Sequence, residues 1–271
     1  MLSVTESSSW VPEGVNTELP SAARVYDYLL GGGHNFPGDR ALAEELVRLL
    51  PARDMSRLNR AFLRRAVLHL LDAGITQFLD LGSGIPTVGN VHEIALAADP
   101  TARVVYVDYE PVAVAHSEML LREVPNADVL RADMREPEKI LRAPRVRELI
   151  DLSAPLGLLM VGVAQFIPDD DDPWALVARY RDALAPGSHL ALSAFTWDNA
   201  PEGMAGAVEV FRHSQDPIFP RTHQEILRLF DGFELVEPGL VYTPLWRPER
   251  AEDVGDNAAR SNLYAGVARK T

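Results

Sequence analysis

The stretch QFLDLGSGIPT, residues 77–87, decides how the rest of the chain is read. Phe78, Leu79 and Leu81 form a short apolar run, the mark of a strand buried on both faces. Gly82-Ser83-Gly84 then turns the chain at the carboxyl end of that strand, where open α/β sheets present their ligand loops. Pro86 suits the first turn of a following helix, because its missing N–H has no partner to lose there. A dinucleotide fingerprint needs a third glycine three positions after the second, and that position holds Thr87. Instead of a diphosphate site the stretch offers a carboxylate, Asp80, two positions before the glycines, which suits a ligand with an amino group.

A second strand follows at the spacing of a βαβ unit. RVVYVDYE, residues 103–110, is β-branched and aromatic, and its Asp108 lies 24 residues beyond Gly84. A carboxylate at the tip of the second strand can accept both hydroxyls of a bound ribose. Asp80 and Asp108, with Gly82, Ser83 and Gly84 between them, therefore describe a site for a nucleoside that also carries an ammonium group. S-adenosylmethionine has both.

The chain has 271 residues, 47% of them hydrophobic, which suffices for one large domain or a domain with an appendage. A net charge of −13 argues against a surface that grips nucleic-acid phosphates, so no nucleic-acid partner is expected. The absence of cysteine excludes disulfides, zinc–thiolate sites and thiol nucleophiles. MLSVTESSSW has neither the basic start nor the apolar run of a signal peptide, and no segment approaches the ~20 apolar residues of a membrane span. A cytoplasmic protein without a membrane partner is expected. Lysine occurs only at Lys139 and Lys270 against many arginines, a bias of GC-rich bacterial genomes.

Residues 1–19 are polar, are broken by Pro12 and Gly14, and read as a flexible N-terminus. Residues 20–75 read as a helical layer or lid. Its first helix has Ser21 as N-cap and Val25, Tyr28 and Leu29 on one face. Gly31-Gly32-Gly33 stops that helix and makes either a plain turn or a hinged loop that carries His34 and Asn35 over a ligand. Helices over 39–50 and 57–73 follow, the second bearing Arg60, Arg64 and Arg65.

From residue 76 to 271 strands and helices alternate. ADVLRAD (127–133) ends in Asp133, placed to meet an adenine amino group or to cap a helix, and GLLMVGV (157–163) is apolar throughout and so central. Asp172-Pro173 reads as a helix cap, and the aspartates at 169–172 as a solvated turn in preference to a metal site, since loop neighbours cannot all face one cation. Trp197, just past the strand SHLALSAF (188–195), is placed to wall a substrate pocket. FELVEPGLVYTPLW, from Phe233, and NLYAGVARK, from Asn262, have no helix between them and should pair antiparallel. The pattern predicts an α/β fold: a seven-stranded, mostly parallel sheet with a terminal antiparallel pair and helices on both faces.

The DxGxG loop and the order of elements resemble the Rossmann-like methyltransferases that use S-adenosylmethionine. More narrowly, SAARVYDYLLGG-HNF-DR (21–40), NRAFLRRAV (59–67), QFLDLGSGIPT (77–87), RVVYVDYEP (103–111), RADMREP (131–137), LAPGSHLALS (184–193), LVEPGLV (235–241) and YAGVARK (264–270) resemble the bacterial S-adenosyl methyltransferase family first catalogued as a domain of unknown function. The likeness covers nearly the whole chain from residue 20. It implies a Rossmann-like methyltransferase fold with an N-terminal helical lid, S-adenosylmethionine as cofactor, and methyl transfer to a small-molecule acceptor that the family does not identify. Gly82, Ser83 and Gly84 would lie along the cofactor, Asp80 at its amino group and Asp108 at its ribose. Tyr109, Asp133 and Met134 would bound the adenine, and Tyr28, His34, Asn35 and Arg60 would line the acceptor side.

Two departures from the family pattern matter. Tyr109-Glu110 stands where the family often has Asn and then Asp before the proline, which keeps an acid and adds a ring able to stack on adenine. Ala164-Gln165 stands where a Leu-His pair is frequent, which removes a possible general base and leaves no catalytic residue named. Two other functions share the same features. A non-catalytic S-adenosylmethionine-binding regulator needs no base, and an NAD-dependent oxidoreductase shares the sheet but lacks support at Thr87 and in the antiparallel pair.

Overall fold

Three helices precede the sheet in the computed structural model, which describes residues 11–12, 15–87 and 89–271. They are α1 (Ala22–Leu29), α2 (Pro37–Leu49) and α3 (Ala52–Asp72). The alternating part then runs β1 (Gln77–Leu81), α4 (Val91–Ala98), β2 (Arg103–Asp108), α5 (Pro111–Leu121), β3 (Ala127–Arg131), α6 (Pro137–Arg142), α7 (Pro144–Leu149), β4 (Gly157–Val161), α8 (Pro173–Ala183) and β5 (His189–Phe195). Next come α9 (Pro201–Phe211), α10 (His223–Arg228), β6 (Glu234–Leu235), β7 (Val241–Tyr242) and β8 (Leu263–Arg269).

The strand order is β3-β2-β1-β4-β5-β8, with β6 and β7 both paired to the far side of β8. β1 to β5 are parallel, and β8 runs antiparallel to β5 from His189↔Arg269 to Phe195↔Leu263. The run from Phe233 forms two short strands where one was expected, because Pro238-Gly239 turns the chain between them with Gly239 at φ +85°. The sheet therefore has eight strands. Pro86 does not open a helix either: α4 begins at Val91, where the Glu93 carboxylate accepts the Asn90 N–H and the Asn90 side chain holds Thr87, so that 82–87 stays a loop.

Alternation along the strands divides the core. Leu79, Leu81, Val105, Val107, Leu158 and Met160 pack against α6, α7, α8 and α10. Phe78, Val104, Tyr106 and Leu159 face Phe62, Leu63, Ala66, Val67 and Leu70 of α3. The third helix of the expected lid is thus a sheet-covering helix. What lies past the carboxyl ends of the strands is a smaller cluster joining α1 and α2 to α9 through Val25, Leu29, Leu46, Met204 and Phe211.

Residues 1–10, 13 and 14 of the segment expected to be flexible lie outside the described residues. The rest of that segment is fastened, since Arg24 donates to the carbonyls of Asn16 and Leu19. Among the described residues no helix is long and apolar enough to cross a membrane.

Candidate active site

A cavity of about 400 Å³ opens at the carboxyl ends of β1, β2, β4 and β5, beneath α1, α2 and α9. Asp80, Gly82, Ser83, Gly84, Asp108, Tyr109, Asp133 and Met134 all line it. Strand alternation puts Asp80 on the same face as Phe78, toward α3, and so within electrostatic reach of Arg60. The Asp80 side chain is buried and has no hydrogen-bond partner among the described residues. Burial raises its pKa to about 7; Arg60 opposes the rise and Asp108 adds to it. Beside it the Ser83 hydroxyl is also buried without a partner among the described residues.

Asp108 is better provided for. One carboxylate oxygen accepts the Gly84 N–H at 2.7 Å and the other the Glu110 N–H at 2.9 Å. Burial still lifts its pKa to about 6, against these two bonds. The loop between the two aspartates requires its glycines: Gly82 and Gly84 have φ of +65° and +68°, and a Cβ on Gly82 would lie 2.5 Å from Val163 Cγ1. A Cβ on Gly84 would meet nothing within 4 Å, so this part of the backbone is bare toward the cavity.

Tyr109, 44% exposed, stands at the rim. Asp133 is gripped by Arg135, whose Nε and Nη2 both donate to it. Burial acts to raise its pKa, but the bonds and charge from Arg135 together carry it below the usual carboxylate value.

Of the four residues expected on the acceptor side, Arg60 alone is among the lining residues, and it sits at the Asp80 end, donating to the Gly89 carbonyl. Tyr28 points away from the cavity to Glu44, with the Arg53 guanidinium over its ring. Asn35 donates to Asp27 and to the Gly32 carbonyl, so it braces the glycine turn. His34 lies against His116 of α5, ring centroids 3.9 Å apart. Trp197 packs beside the α1–α2–α9 cluster and does not line the cavity.

The residues that do face the inner cavity include Tyr26 and Asn59, which sequence reasoning missed. The Tyr26 hydroxyl donates to the Ser56 carbonyl at 3.0 Å and accepts from Asn59 Nδ2 at 3.3 Å, while Asn59 Oδ1 accepts from the Ser193 hydroxyl at 2.6 Å. Burial raises the Tyr26 pKa, so the phenol stays protonated. The signal was present: Ala22, Val25, Tyr26 and Leu29 fall at i, i+3, i+4 and i+7, a truer stripe than one drawn through Tyr28.

A buried arginine secures the helical layer to the site. Arg24 Nε meets Asp39 Oδ2 at 2.9 Å and Nη1 meets Glu110 Oε1 at 2.7 Å, with all three side chains almost fully enclosed. Glu110 also accepts the Ala113 N–H as the cap of α5. The acid at the unusual Tyr109-Glu110 pair thus ties α1 and α2 to the tip of β2.

The sequence profile of the family described as S-adenosyl methyltransferase matches residues 8–271. A crystal structure of a candidate methyltransferase from Thermobifida fusca is 43% identical, covers 97% of this chain and 100% of its own, and superposes with a TM-score of 0.91. A protein of the DUF574 family from Streptomyces avermitilis is 39% identical over 94% of this chain and 99% of its own, with a TM-score of 0.90. No curated protein matches the chain.

Proposed function

The chain belongs to the S-adenosyl methyltransferase family and is an S-adenosylmethionine-dependent methyltransferase, and on that premise we propose how its cavity binds the cofactor and admits the acceptor. The observation that carries the assignment is Asp80, a buried carboxylate with no hydrogen-bond partner among the described residues, at the head of a bare glycine loop. A buried charge is retained only where something compensates it, and the cofactor's ammonium does so. Arg60, on the far side of Asp80, takes the amino-acid carboxylate, in place of the acceptor role read from sequence. Ser83 and Gly84 run along the amino-acid chain, Asp108 accepts the ribose hydroxyls, and Tyr109 and Met134 flank the base. Asp133, already paired with Arg135, closes the adenine end of the cavity.

Bound there, the cofactor supplies a methyl group already activated on a sulfonium, and its sulfur keeps the bonding pair. The residues need only hold an acceptor atom in line and keep water out. Residues 20–75 serve as the layer that covers the site, fastened through Arg24, and 76–271 as the cofactor-binding domain. The acceptor is a small molecule, and no nucleic acid or membrane is engaged. The bacterial sources of the similar structures and the arginine bias support a bacterial, cytoplasmic protein.

Titration calorimetry with S-adenosylhomocysteine tests the assignment directly. Wild type binds and Asp108→Ala does not; an unbound wild type, or undiminished binding by the variant, refutes it.

A further inference from the structure

The two ends of the cavity differ in kind. Its charged lining residues are Arg60, Asp80, Asp108, Glu110, Asp133, Arg135 and Asp216. All but the last belong to the cofactor end described above. Asp216 accepts the Ala22 N–H and lies within electrostatic reach of Asp108 and Arg24. The remainder of the lining, beneath α9, is hydrocarbon, ring and thioether: Leu29, Leu46, Met55, Phe195, Met204 and Phe211 are examples. The polar groups beside them are already bonded within the protein. Tyr26, Asn59 and Ser193 satisfy one another and the Ser56 carbonyl, and Ser56 Oγ donates to Ala52.

One atom is left over. Gln165 follows β4, lines the cavity and is 2% exposed. Its Nε2 donates to the Gly162 carbonyl at 2.7 Å, which fixes the amide orientation, because an oxygen placed there would face another oxygen. Oε1 is thereby turned the other way, buried and without a partner among the described residues. A buried amide oxygen left unbonded is costly, and it can only accept.

We propose that the methyl acceptor is an uncharged, largely aromatic or hydrocarbon molecule that carries one hydroxyl or N–H, held by a hydrogen bond to Gln165 Oε1. This rests on the cofactor assignment for which end of the cavity is which. A carboxylate or ammonium on the acceptor's buried part would lose its hydration in the apolar end; the described lining there offers no cation, and Asp216 is already engaged by the Ala22 N–H and offset by Arg24. A neutral ring fills that end, and its donor meets Gln165 Oε1. Gln165 is an amide and takes no proton, so its role is to position the acceptor.

Three naphthalene probes separate the elements of the proposal: 1-naphthol, 1-methoxynaphthalene, which lacks the donor, and 1-naphthoate, which carries a charge. Dissociation constants are measured by calorimetry with and without S-adenosylhomocysteine. Naphthol should bind at least about tenfold more tightly than naphthoate and roughly tenfold more tightly than the methoxy compound. Gln165→Leu and Gln165→Met should both abolish the preference for naphthol over the methoxy compound while keeping the discrimination against naphthoate. Naphthoate binding as well as naphthol, or a donor preference that survives in both variants, overturns the proposal, and the wild-type comparison alone decides the question of charge if neither variant folds. Failure of S-adenosylhomocysteine to bind would refute the cofactor assignment, whereas the probe ratios measured without it still decide this one.

Discussion

Asp80→Asn should make the free protein more stable and the cofactor complex weaker. The carboxyl rises from 3.8 to about 7 on burial, and at about 1.4 kcal/mol per pKa unit its ionisation costs about 4 kcal/mol more in the folded protein than in the unfolded chain. An acid whose folded pKa is raised stabilises the fold fully below its unfolded pKa, and that contribution is lost as pH rises toward about 7. At pH ~8 wild type therefore carries the whole penalty, and asparagine, which cannot ionise, escapes it. After roughly 1–2 kcal/mol for burying the amide, about 2–3 kcal/mol remains. In a domain of this size that corresponds to a rise in Tm of roughly 5–10 °C. Near pH 4 both side chains are neutral when folded and the gain should vanish. Binding moves the opposite way: the cofactor ammonium loses its buried partner, a change of about 3–5 kcal/mol, so affinity for S-adenosylhomocysteine should fall by at least ~100-fold. Differential scanning fluorimetry across pH and calorimetry measure the two effects. A variant less stable than wild type at high pH, or one that binds within a few-fold of wild type, would show that Asp80 is a structural carboxylate.

The same titration makes cofactor affinity pH-dependent: binding should weaken about tenfold per unit as pH falls below about 7, with Asp108 adding steepness below about 6, and a flat calorimetric profile between pH ~5 and ~8 contradicts it. Arg24→Met leaves Asp39 and Glu110 buried without their cation, so denaturant melts should show a loss of about 3–5 kcal/mol; a loss under ~1 kcal/mol would mean that the layer is held by its apolar contacts alone. Gly82→Ala drives a methyl group against Val163 at a positive φ and should cost roughly 2–4 kcal/mol of stability. Gly84→Ala meets open space, should cost only about 1 kcal/mol, and should act mainly on S-adenosylhomocysteine affinity. Similar melting temperatures for the two variants would refute that contrast.

The end of the cavity we assign to the cofactor was legible because its signals are local. A strand, a glycine bend and the tip of the next strand fix one another through the pairing of β1 with β2, so Asp80 and Asp108 could be placed from spacing alone. The acceptor half is assembled from α1, α3, α9 and the tips of β4 and β5, segments distant in sequence, and its residues carry no motif. Tyr28, His34 and Asn35 looked functional because they are polar and flank a glycine run. The fold spends them on Glu44, His116 and Asp27, and within the glycine run Gly32 is packed: a Cβ there would run into the Asp27 carboxylate. Arg60 is reassigned in the proposal for a different reason. Its acceptor-side role came from the family resemblance, whereas its place near Asp80 follows from how α3 packs across the sheet.

The polar groups of the inner cavity bear on how transfer proceeds. A general base must be able to take a proton from the acceptor, and the candidates lining the cavity are unsuited to that task. Tyr26 already donates its proton to Ser56, and Asn59 and Gln165 are amides. The carboxylates Asp80 and Asp108 are committed to the cofactor under the proposed assignment. Of the other acids among the described lining residues, Glu110 is paired with Arg24 and Asp133 with Arg135, and Asp216 has its Oδ2 engaged by the Ala22 N–H. The acceptor must then bring a lone pair reactive enough to be alkylated without prior deprotonation, or a proton acidic enough to pass to water. Rate enhancement falls to orientation and the exclusion of bulk water, both of which depend on α1 and α2 staying seated. That makes Arg24, remote from the transferred methyl, a residue whose loss should lower kcat through the covering layer while Asp80, Gly84 and Asp108 remain in place.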